Sequence, residues 1–448
     1  MADPQLTETD RPAGRGTIFA WGVWDWGASG FNTVVVTFIF SVYLTNVVGD
    51  DLPGTIEAGT WYTWSVAAAG VLIAVLAPVS GQQADLGGRR RRSLAIFSIL
   101  VLLCMIGLFW VRDDSSYFWL GAALIGLGSV FFEIAAVFYN AMLRQISTPA
   151  TIGRVSGFGW SMGYFGGIFL LLICYFGFIA GDGDTRGFLG ISTEDGFNIR
   201  VVALVAAVWF GLSALPVLFA VPEVAAAPKR ERTPLLSAYR KLFRDIAELF
   251  RTDRQIAFFL IASAIFRDGL AAIFHFGAIL AVLVYGISDA DVLIFGVAAN
   301  VISAIGALSA GVLDDRVGPR FVIVVSLVGL IITGTVLLFL SGPMMFWIFG
   351  LVLCLFVGPA QSASRTFLMR ITPPGREGQI FGLYATTGRA VSFLAPGLYG
   401  LFAAVLGGQR YGTVGIVIVL LAGLIAMRFV GRPVDKSAAP VTSGTPVS

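Results

Sequence analysis

Six ionisable residues interrupt long apolar stretches of this sequence, and they are the first candidates for chemistry. They are Asp25, Glu133, Arg267, Asp268, His275 and Arg389. If these stretches cross a bilayer, each charge at its centre costs about 2.5–3.5 kcal/mol on insertion scales, so such residues usually face a bundle interior and serve a function. Asn140, Gln361 and Arg365 join them as candidates for substrate or ion binding.

Two positions could carry protons. Glu133 has only apolar neighbours in GSVFFEIAAVFYN, which favours a proton carrier, although an ion pair with an arginine is the alternative. Asp268 and His275 are two helical turns apart on one face, about 10 Å along the axis. Because histidine titrates near neutral pH, this pair is the strongest candidate for proton coupling. A simple hydrogen-bonded histidine is the other interpretation, and Gly269 predicts a bend or break there.

The arginines could bind anionic groups. Asp25 is expected to pair with Arg389 or Arg365, unless it only packs at the interface among its tryptophan neighbours. Arg389 could bind a substrate carboxylate or pair with Asp25 or Glu133, and both hold if the substrate competes for the pair. Arg267 is expected to bind an anionic group or pair with another helix.

The composition indicates which elements carry these residues. The chain has 448 residues, of which 57% are hydrophobic and 13% charged, whereas soluble domains carry about 25% charged residues. It is therefore an integral membrane protein, whose crossing helices need about 20 residues each. Twelve stretches qualify: 18–45, 60–83, 93–111, 117–140, 157–180, 199–221, 256–284, 291–313, 320–340, 344–365, 380–406 and 411–430.

Positive charge predicts the orientation. Placing both termini in the cytoplasm puts 24 of the 30 lysines and arginines in cytoplasmic segments, as expected for a bacterial inner membrane. The predicted organisation is a cytoplasmic tail (1–17), a six-helix bundle (18–222), a cytoplasmic linker with an amphipathic helix (223–255), a second six-helix bundle (256–432) and a disordered tail (433–448).

Several classes of site are not expected. Cys104, Cys174 and Cys354 are far apart, and His275 is the single histidine, so the sequence predicts no metal site. No phosphate-binding glycine-rich loop is present, so ATP is not the expected energy source. No cofactor is predicted, and the isolated histidine argues against an enzyme.

The sequence contains an internal repeat. Gly81–Arg90 (GQQADLGGRR) resembles Gly311–Arg320 (GVLDDRVGPR), and both follow the second span of their half. Met142–Trp160 resembles Leu368–Tyr384, with glycines at a constant offset. Two repeats in register predict a parallel duplication of six spans about an axis along the membrane normal.

The duplicated loop is a candidate gate. Its first glycine lets helix ends approach, its aspartate caps the following helix or pairs with a loop arginine, and its second glycine permits a tight turn. Such a cluster can form and break as a bundle opens, although the loop could also serve topology alone. The gating candidates are Gly81, Asp85, Gly88, Arg89, Arg90, Gly311, Asp315, Arg316, Gly318 and Arg320.

These features resemble the major facilitator superfamily over residues 18–432. Further motifs resemble its vacuole-effluxer-like branch, which includes fungal autophagy-related amino-acid effluxers. The residues at these motifs are Trp24-Asp25-Trp26-Gly27-Ala28-Ser29, Asp268-Gly269, Gln361, Ser364-Arg365, Phe381-Gly382-Leu383-Tyr384 and Gly388-Arg389. Ala28 stands where the family usually has Asn, and Arg389 stands where it has Lys. The resemblance implies an all-α membrane protein with twelve transmembrane helices in two six-helix bundles, and it suggests amino-acid export.

We therefore expect a secondary active transporter that moves a small solute, an amino acid or related metabolite, outward by alternating access with coupling to protons. An ion-coupled importer or a lipid-handling transporter of the same fold are alternatives. A non-transporting membrane sensor is a further alternative, although the tails are short for a signalling domain. The expected partners are a small-molecule substrate and membrane lipids, without nucleic acid, and the expected state is a monomer.

Overall fold

A computed structural model describes residues 13–223 and 253–431, together with Arg244, Glu248 and Arg251. Within them, twelve helices are long and apolar enough to cross a membrane. The first six are α1 (Arg15–Val48), α2 (Ala58–Gly87), α3 (Arg90–Trp110), α4 (Ser115–Ile146), α5 (Ile152–Ile179) and α6 (Glu194–Ala220). The last six are α7 (Arg254–Leu283), α8 (Asp289–Val317), α9 (Pro319–Phe339), α10 (Pro343–Ile371), α11 (Glu377–Val405) and α12 (Gln409–Ala426).

The twelve predicted spans each correspond to one of these helices, so the predicted multi-pass all-α architecture is confirmed. Several helices extend beyond the apolar stretch, because polar residues continue the last turns outside the bilayer. Helix α4, for example, was expected over 117–140 and runs over Ser115–Ile146. The amphipathic helix predicted in the 223–255 linker and the predicted disordered tail lie outside the described residues, apart from a few isolated positions.

One predicted break is wrong, and a break occurs elsewhere. Helix α7 is continuous through Gly269, where the missing side chain makes room for Leu420 of α12. Helix α11 instead divides into Glu377–Val391 and Leu394–Val405. Pro396 explains this break, because a proline ring clashes with the carbonyl four residues earlier, here that of Ser392.

Helix α1 is also irregular. Its α-helical start, Arg15–Ser29, passes into wider π-helical turns at Gly30–Phe38 and again at Leu44–Val48. Such turns are rare and occur often at functional sites. They widen the backbone in the half of α1 that lies away from the N-terminus.

The first six helices meet the last six along two seams, α2 with α11 and α5 with α8. Glycines allow both contacts: a Cβ added to Gly378 would lie 2.6 Å from the Gly81 carbonyl oxygen, and one added to Gly153 would lie 2.6 Å from that of Gly311. The four glycines belong to the repeats found in the sequence, and each repeat in one half contacts the complementary repeat in the other. We call the end of the bundle that carries them the basic end.

The opposite end carries the connection between α5 and α6. This connection contains a small antiparallel hairpin of β1 (Thr185–Arg186) and β2 (Ile191–Ser192), with Thr185 opposite Ser192. The α2–α11 seam extends toward this end as far as the hydrogen bond from the Thr386 hydroxyl to the Ala74 carbonyl, 2.9 Å long. Beyond that point lies a cavity.

Candidate functional site

A small cavity of about 60 Å³ lies between α1, α2, α4 and α11. Its lining is mostly apolar and includes two charged side chains. The lining residues are Phe31, Asn32, Val36, Val66, Ala69, Ile73, Ser129, Phe132, Glu133 and Arg389. A mostly apolar pocket with a few converging polar groups is typical of a small-molecule site.

Glu133 and Arg389 form an ion pair across this cavity. The sequence allowed either a lone Glu133 or a pair with an arginine, and the pair is confirmed. Its side chains are 27% and 34% exposed, so both charges reach open space in the cavity. The pair joins α4 of the first six helices to α11 of the last six, one turn before the α11 break. A bound solute with its own charges can therefore compete for both partners.

The π-helical turns of α1 form one wall of the cavity through Phe31, Asn32 and Val36. Two backbone carbonyls of this wall accept hydrogen bonds from side chains. The Thr37 hydroxyl donates to Asn32 O at 2.7 Å, and the Tyr62 hydroxyl donates to Val36 O at 3.3 Å. The wall thus holds polar backbone and side-chain groups beside the ion pair.

A second charged group lies closer to the basic end and centres on Arg365 of α10. Its guanidinium donates to the Ser156 hydroxyl at 2.9 Å, to the Ser156 carbonyl at 2.7 Å and to Asn140 Oδ1 at 3.1 Å. It also lies 3.5 Å from the Asp25 carboxylate, which confirms the expected Asp25–Arg365 pair. These contacts cross from α10 to α1, α4 and α5, so they join the two halves at this level.

Aromatic rings enclose the Asp25–Arg365 pair. Tyr139 stacks between Trp21 and Trp24, with ring centroids 4.4 Å apart in each case. Its hydroxyl donates to Asp25 at 2.8 Å, and Arg365 lies 5.0 Å from the Trp21 ring centroid. The cation is held by rings as well as by a carboxylate, which lowers the cost of burying it.

Arg267 and Asp268 hold the broken helix α11. Asp268 is buried and accepts a hydrogen bond of 2.6 Å from the Ala395 N–H, in the first turn of the segment after the break. Arg267 donates to the Tyr384 carbonyl before the break at 3.2 Å, and its guanidinium lies 3.7 Å from the Tyr384 ring centroid. A carboxylate at a helix N-terminus and a cation near a C-terminal turn both complement the helix dipole.

His275 lies apart from this arrangement. It is exposed and its ring makes an edge contact with the neighbouring Phe276. Within the described residues no ion pair joins it to Asp268. Gln361, another predicted binding residue, accepts a weak hydrogen bond of 3.4 Å from the Tyr164 hydroxyl of α5.

The duplicated loops form two ion-pair clusters at the basic end. In the first cluster, Arg90 contacts Asp85 at 2.6 Å and Glu377 at 2.5 Å, while Arg144 contacts Glu377 at 2.7 Å. In the second cluster, Asp315 contacts Arg154 at 2.8 Å, and Arg370 lies 3.5 Å from Asp314 and 3.8 Å from Asp315. Each cluster contains two carboxylates and two guanidiniums, and each bridges the two halves.

The loop aspartates cap helices, but the prediction that each one caps the following helix is wrong. Asp85 accepts from the Gln379 N–H at 2.9 Å, at the start of α11, and Asp315 accepts from the Gly153 N–H at 2.7 Å, at the start of α5. Each aspartate therefore caps a helix in the other half rather than the next helix in its own. The expected loop pairing is confirmed for Asp85, through Arg90, whereas Asp315 uses Arg154 from the first half.

The remaining gating candidates have simpler surroundings. Gly88 adopts the left-handed conformation (φ 59°) that ends α2, and Gly318 has φ 88° after α8. Arg320 donates to the Met427 carbonyl at 3.4 Å. Arg89, just before α3, and Arg316, in the last turn of α8, are exposed.

Sequence reasoning missed Tyr139, Ser156 and Glu377 as members of these clusters. Ser156 lies inside the glycine repeat, beside Gly157. A contact between Ser156 and the other half could therefore have been predicted from the repeat. Glu377 directly precedes the matching Gly378, and an acidic residue in a first turn often stabilises a helix N-terminus. Among the described residues, no group of three or more His, Cys, Asp or Glu could hold a metal ion.

Comparisons with known proteins agree with this architecture. The family model described as "Vacuole effluxer Atg22 like" matches residues 52–439. An uncharacterized MFS-type transporter, YxiO of Bacillus subtilis (strain 168), is 22% identical over 92% of this chain and 94% of its own length. Autophagy-related protein 22-1 of Neosartorya fischeri is 25% identical over 62% of this chain and 48% of its own length. The chain thus spans about half the length of that fungal relative.

Solved structures show the same fold at low identity. The transporter FucP in the outward conformation has a TM-score of 0.71 at 12% identity, over 93% of this chain and 100% of the other. The proton:xylose symporter XylE bound to 6-bromo-6-deoxy-D-glucose has a TM-score of 0.70 at 13% identity, over 93% and 96%. Both belong to the major facilitator superfamily.

Proposed function

The chain belongs to the Atg22-like vacuole-effluxer family and is a multi-pass transporter of the major facilitator type, and on this premise we propose that it exports an amino acid or a related zwitterionic metabolite. The observation that carries the proposal is the Glu133–Arg389 pair in the cavity. A zwitterion presents an ammonium to Glu133 and a carboxylate to Arg389, so it replaces both partners of the pair at once.

Alternating access follows from the position of this pair. The two seams and the two ion-pair clusters close the basic end, and the cavity lies beyond them. With both termini in the cytoplasm of a bacterial cell and the protein in the inner membrane, this arrangement is an outward-facing state. Competition for the Glu133–Arg389 pair loosens α11 against α4 and couples substrate binding to rocking of the two halves.

Proton coupling is assigned to Glu133 in this proposal. Its carboxylate faces the cavity and has one cationic partner, so a proton on Glu133 releases Arg389 just as a substrate ammonium does. Asp268 and His275, the other predicted pair, have separate surroundings, and Asp268 is committed to the α11 backbone. The protein is expected to work as a monomer, with the site complete within one chain.

The test is transport in proteoliposomes. A thermal-shift panel of the twenty amino acids identifies a ligand, because a solute that binds the folded state stabilises it increasingly as its concentration rises above Kd. Efflux of the labelled ligand is then expected to accelerate when the outside is made more acidic than the inside. Glu133→Gln is expected to weaken ligand binding, because the substrate ammonium loses its carboxylate partner, and the exchange that remains is expected to lose this acceleration. Ser129→Ala, which lines the same cavity, should keep both binding and acceleration.

Other outcomes distinguish the alternatives. Stabilisation by no amino acid excludes this substrate class. Uptake driven by a proton gradient, without driven efflux, makes the protein an importer. Flux of a fluorescent phospholipid makes it a lipid-handling transporter, and the absence of any flux despite ligand binding makes it a sensor. An unchanged pH response in Glu133→Gln removes the proton role from this residue.

A further inference from the structure

We propose that the hairpin tip between α5 and α6 inserts into the lipid bilayer and anchors this connection to the membrane at the end opposite the basic end. The tip is Gly187–Phe188–Leu189–Gly190, between β1 and β2. Phe188 is 80% exposed and Leu189 is also exposed. Two adjacent large apolar side chains at the tip of an aqueous loop would be unusual, since exposed apolar clusters mark binding or membrane surfaces.

The backbone N–H groups of the tip make hydrogen bonds within the chain. Within the tip, the Gly187 N–H donates to Ala180 O at 2.7 Å and the Phe188 N–H donates to Phe176 O at 2.9 Å. The Leu189 N–H donates to Gly177 O at 3.4 Å, and the Gly190 N–H donates to Gly187 O at 3.1 Å. All four N–H groups are therefore satisfied within the chain, which removes the cost of leaving these donors unpaired near hydrocarbon.

The end of α5 makes these bonds possible. Its last turns, Tyr175–Ile179, are π-helical, and the carbonyls of Phe176 and Gly177 accept from the tip. Gly177 also lacks a side chain: a Cβ there would lie 3.8 Å from the Phe188 ring and 3.9 Å from Leu189. The tip thus lies directly against the helix surface, with both apolar side chains over the last turns of the span.

The tip continues a surface that already faces lipid. In the part of α5 nearest the tip, the exposed residues are aliphatic or aromatic: Phe169, Leu172, Ile173, Tyr175 and Phe176. Such a surface on a membrane-spanning helix contacts acyl chains. Phe188 lies against the last turns of α5 and adds to this apolar surface. The connection also carries Asp182, Asp184 and Arg186. Asp182 is fully exposed and pairs with Arg186, so this part of the connection is suited to water.

The anchor has a mechanical consequence for the transporter. With its tip held in the membrane, the connection between α5 and α6 stays at the periphery of the bundle. The membrane itself, rather than another protein, is the partner that this surface fits.

The experiment measures the depth of the tip directly. The full-length protein carrying Phe188→Cys is labelled with a polarity-sensitive fluorophore and placed in phosphatidylcholine–phosphatidylglycerol vesicles. The native cysteines are buried, and labelling of the unchanged protein gives the background. We expect quenching by a nitroxide on the lipid acyl chain and protection from aqueous iodide. Asp182→Cys, the control on the same connection, should give the reverse.

Two results would overturn the proposal. One is iodide quenching at position 188 as strong as at position 182, which means that the tip lies in water. The other is protection at 188 that appears only at high protein-to-lipid ratio, which means that a second copy covers the tip. Protection that is constant over the dilution series supports insertion into lipid. Thermal unfolding of both variants confirms that the substitutions leave the fold intact.

Discussion

Arg365 is a buried cation whose hydrogen bonds reach Asp25, Asn140 and Ser156 in the other half of the chain. A planar guanidinium can make these contacts together because its donors point in fixed, divergent directions. Separation of the halves at this level must break them, so Arg365 belongs to the state in which the basic end is closed.

Arg365→Lys keeps the positive charge but loses the planar guanidinium whose several donors make these hydrogen bonds together. We expect it to destabilise the protein, and Arg365→Ala to cost about 3–5 kcal/mol because it also leaves Asp25 without its cation. The measurement is unfolding in mixed detergent micelles. Arg316→Lys, at an exposed arginine in the last turn of α8, is the control and should be neutral. Equal stability of Arg365→Lys and the unchanged protein would contradict the role of the planar guanidinium.

The sequence predicted which residues form ion pairs more successfully than it predicted the partner of each residue. Asp25 and Arg365 are opposite charges in apolar surroundings, so a pair was expected, but Arg389 was an equal candidate. The choice depends on the depth of each side chain, which tilt and packing determine. Tyr139 and Ser156 look like ordinary packing residues until the helices are placed.

Helix α11 is a broken element held by two consecutive residues of α7. Pro396 removes the continuous hydrogen-bond ladder, and Arg267 and Asp268 bind the backbone on the two sides of the gap. Arg389 lies in the last turn before the gap. The direction of its side chain toward Glu133 thus depends on how this gap is held. The sequence analysis expected a bend or break in α7 from Gly269 and did not consider the effect of Pro396 on α11.

Asp268 should behave as a helix cap. Asp268→Asn keeps an acceptor for the Ala395 N–H and is expected to lose less than about 1 kcal/mol, whereas Asp268→Ala leaves that donor unsatisfied and should lose about 1–3 kcal/mol. Unfolding of the two variants measures the order. If Asp268→Asn instead abolished the pH dependence of transport at unchanged stability, Asp268 would be a proton carrier as the sequence first indicated.

The α2–α11 seam leaves no room for a side chain. Gly81→Ala would drive a methyl group into the Gly378 backbone, so we expect it to favour opening of the basic end. Thiol labelling of Ser362→Cys, a position buried at the contact between halves, should then become faster. Gly87→Ala on the same helix faces open space and should leave labelling slow. Equal rates in the two variants would show that the seam tolerates a methyl group.

At the scale of the whole molecule, the two ion-pair clusters differ in burial. Arg90 and its partners in the first cluster are almost fully buried. In the second cluster the Arg154 side chain is 58% exposed. Exposed pairs are screened by salt and contribute little, whereas buried ones are costly to leave half-broken. The second seam is therefore the weaker one.

Neutralising each cluster should reveal this difference. We expect Asp85→Asn to speed labelling of Ser362→Cys strongly at both low and high ionic strength. Asp315→Asn should increase the labelling rate less. High salt should raise the labelling rate of the protein without Asp315→Asn toward that of the Asp315→Asn variant. The comparison fails if the two substitutions respond alike to salt.

The overall architecture was predictable for a physical reason: apolar length, positive charge and a duplicated motif are local in sequence. Meeting of the duplicated motifs across the halves was not predictable, because nothing local says that Asp85 caps α11 and Asp315 caps α5. The contacts are reciprocal, because each repeat in one half meets the complementary repeat in the other. Asymmetry between the clusters comes from single residues, such as Glu377, whose counterpart in the first half is Ile152.

Each cluster at the basic end contains as many carboxylates as guanidiniums, and the pairs Asp25–Arg365 and Glu133–Arg389 also sum to zero. Moving one elementary charge through 100 mV changes the free energy by about 2.3 kcal/mol, but balanced groups that move together feel almost none of this. The empty protein should therefore reorient at nearly the same rate in energised and de-energised cells. Membrane voltage would then act on transport through the charge of the cargo and its protons.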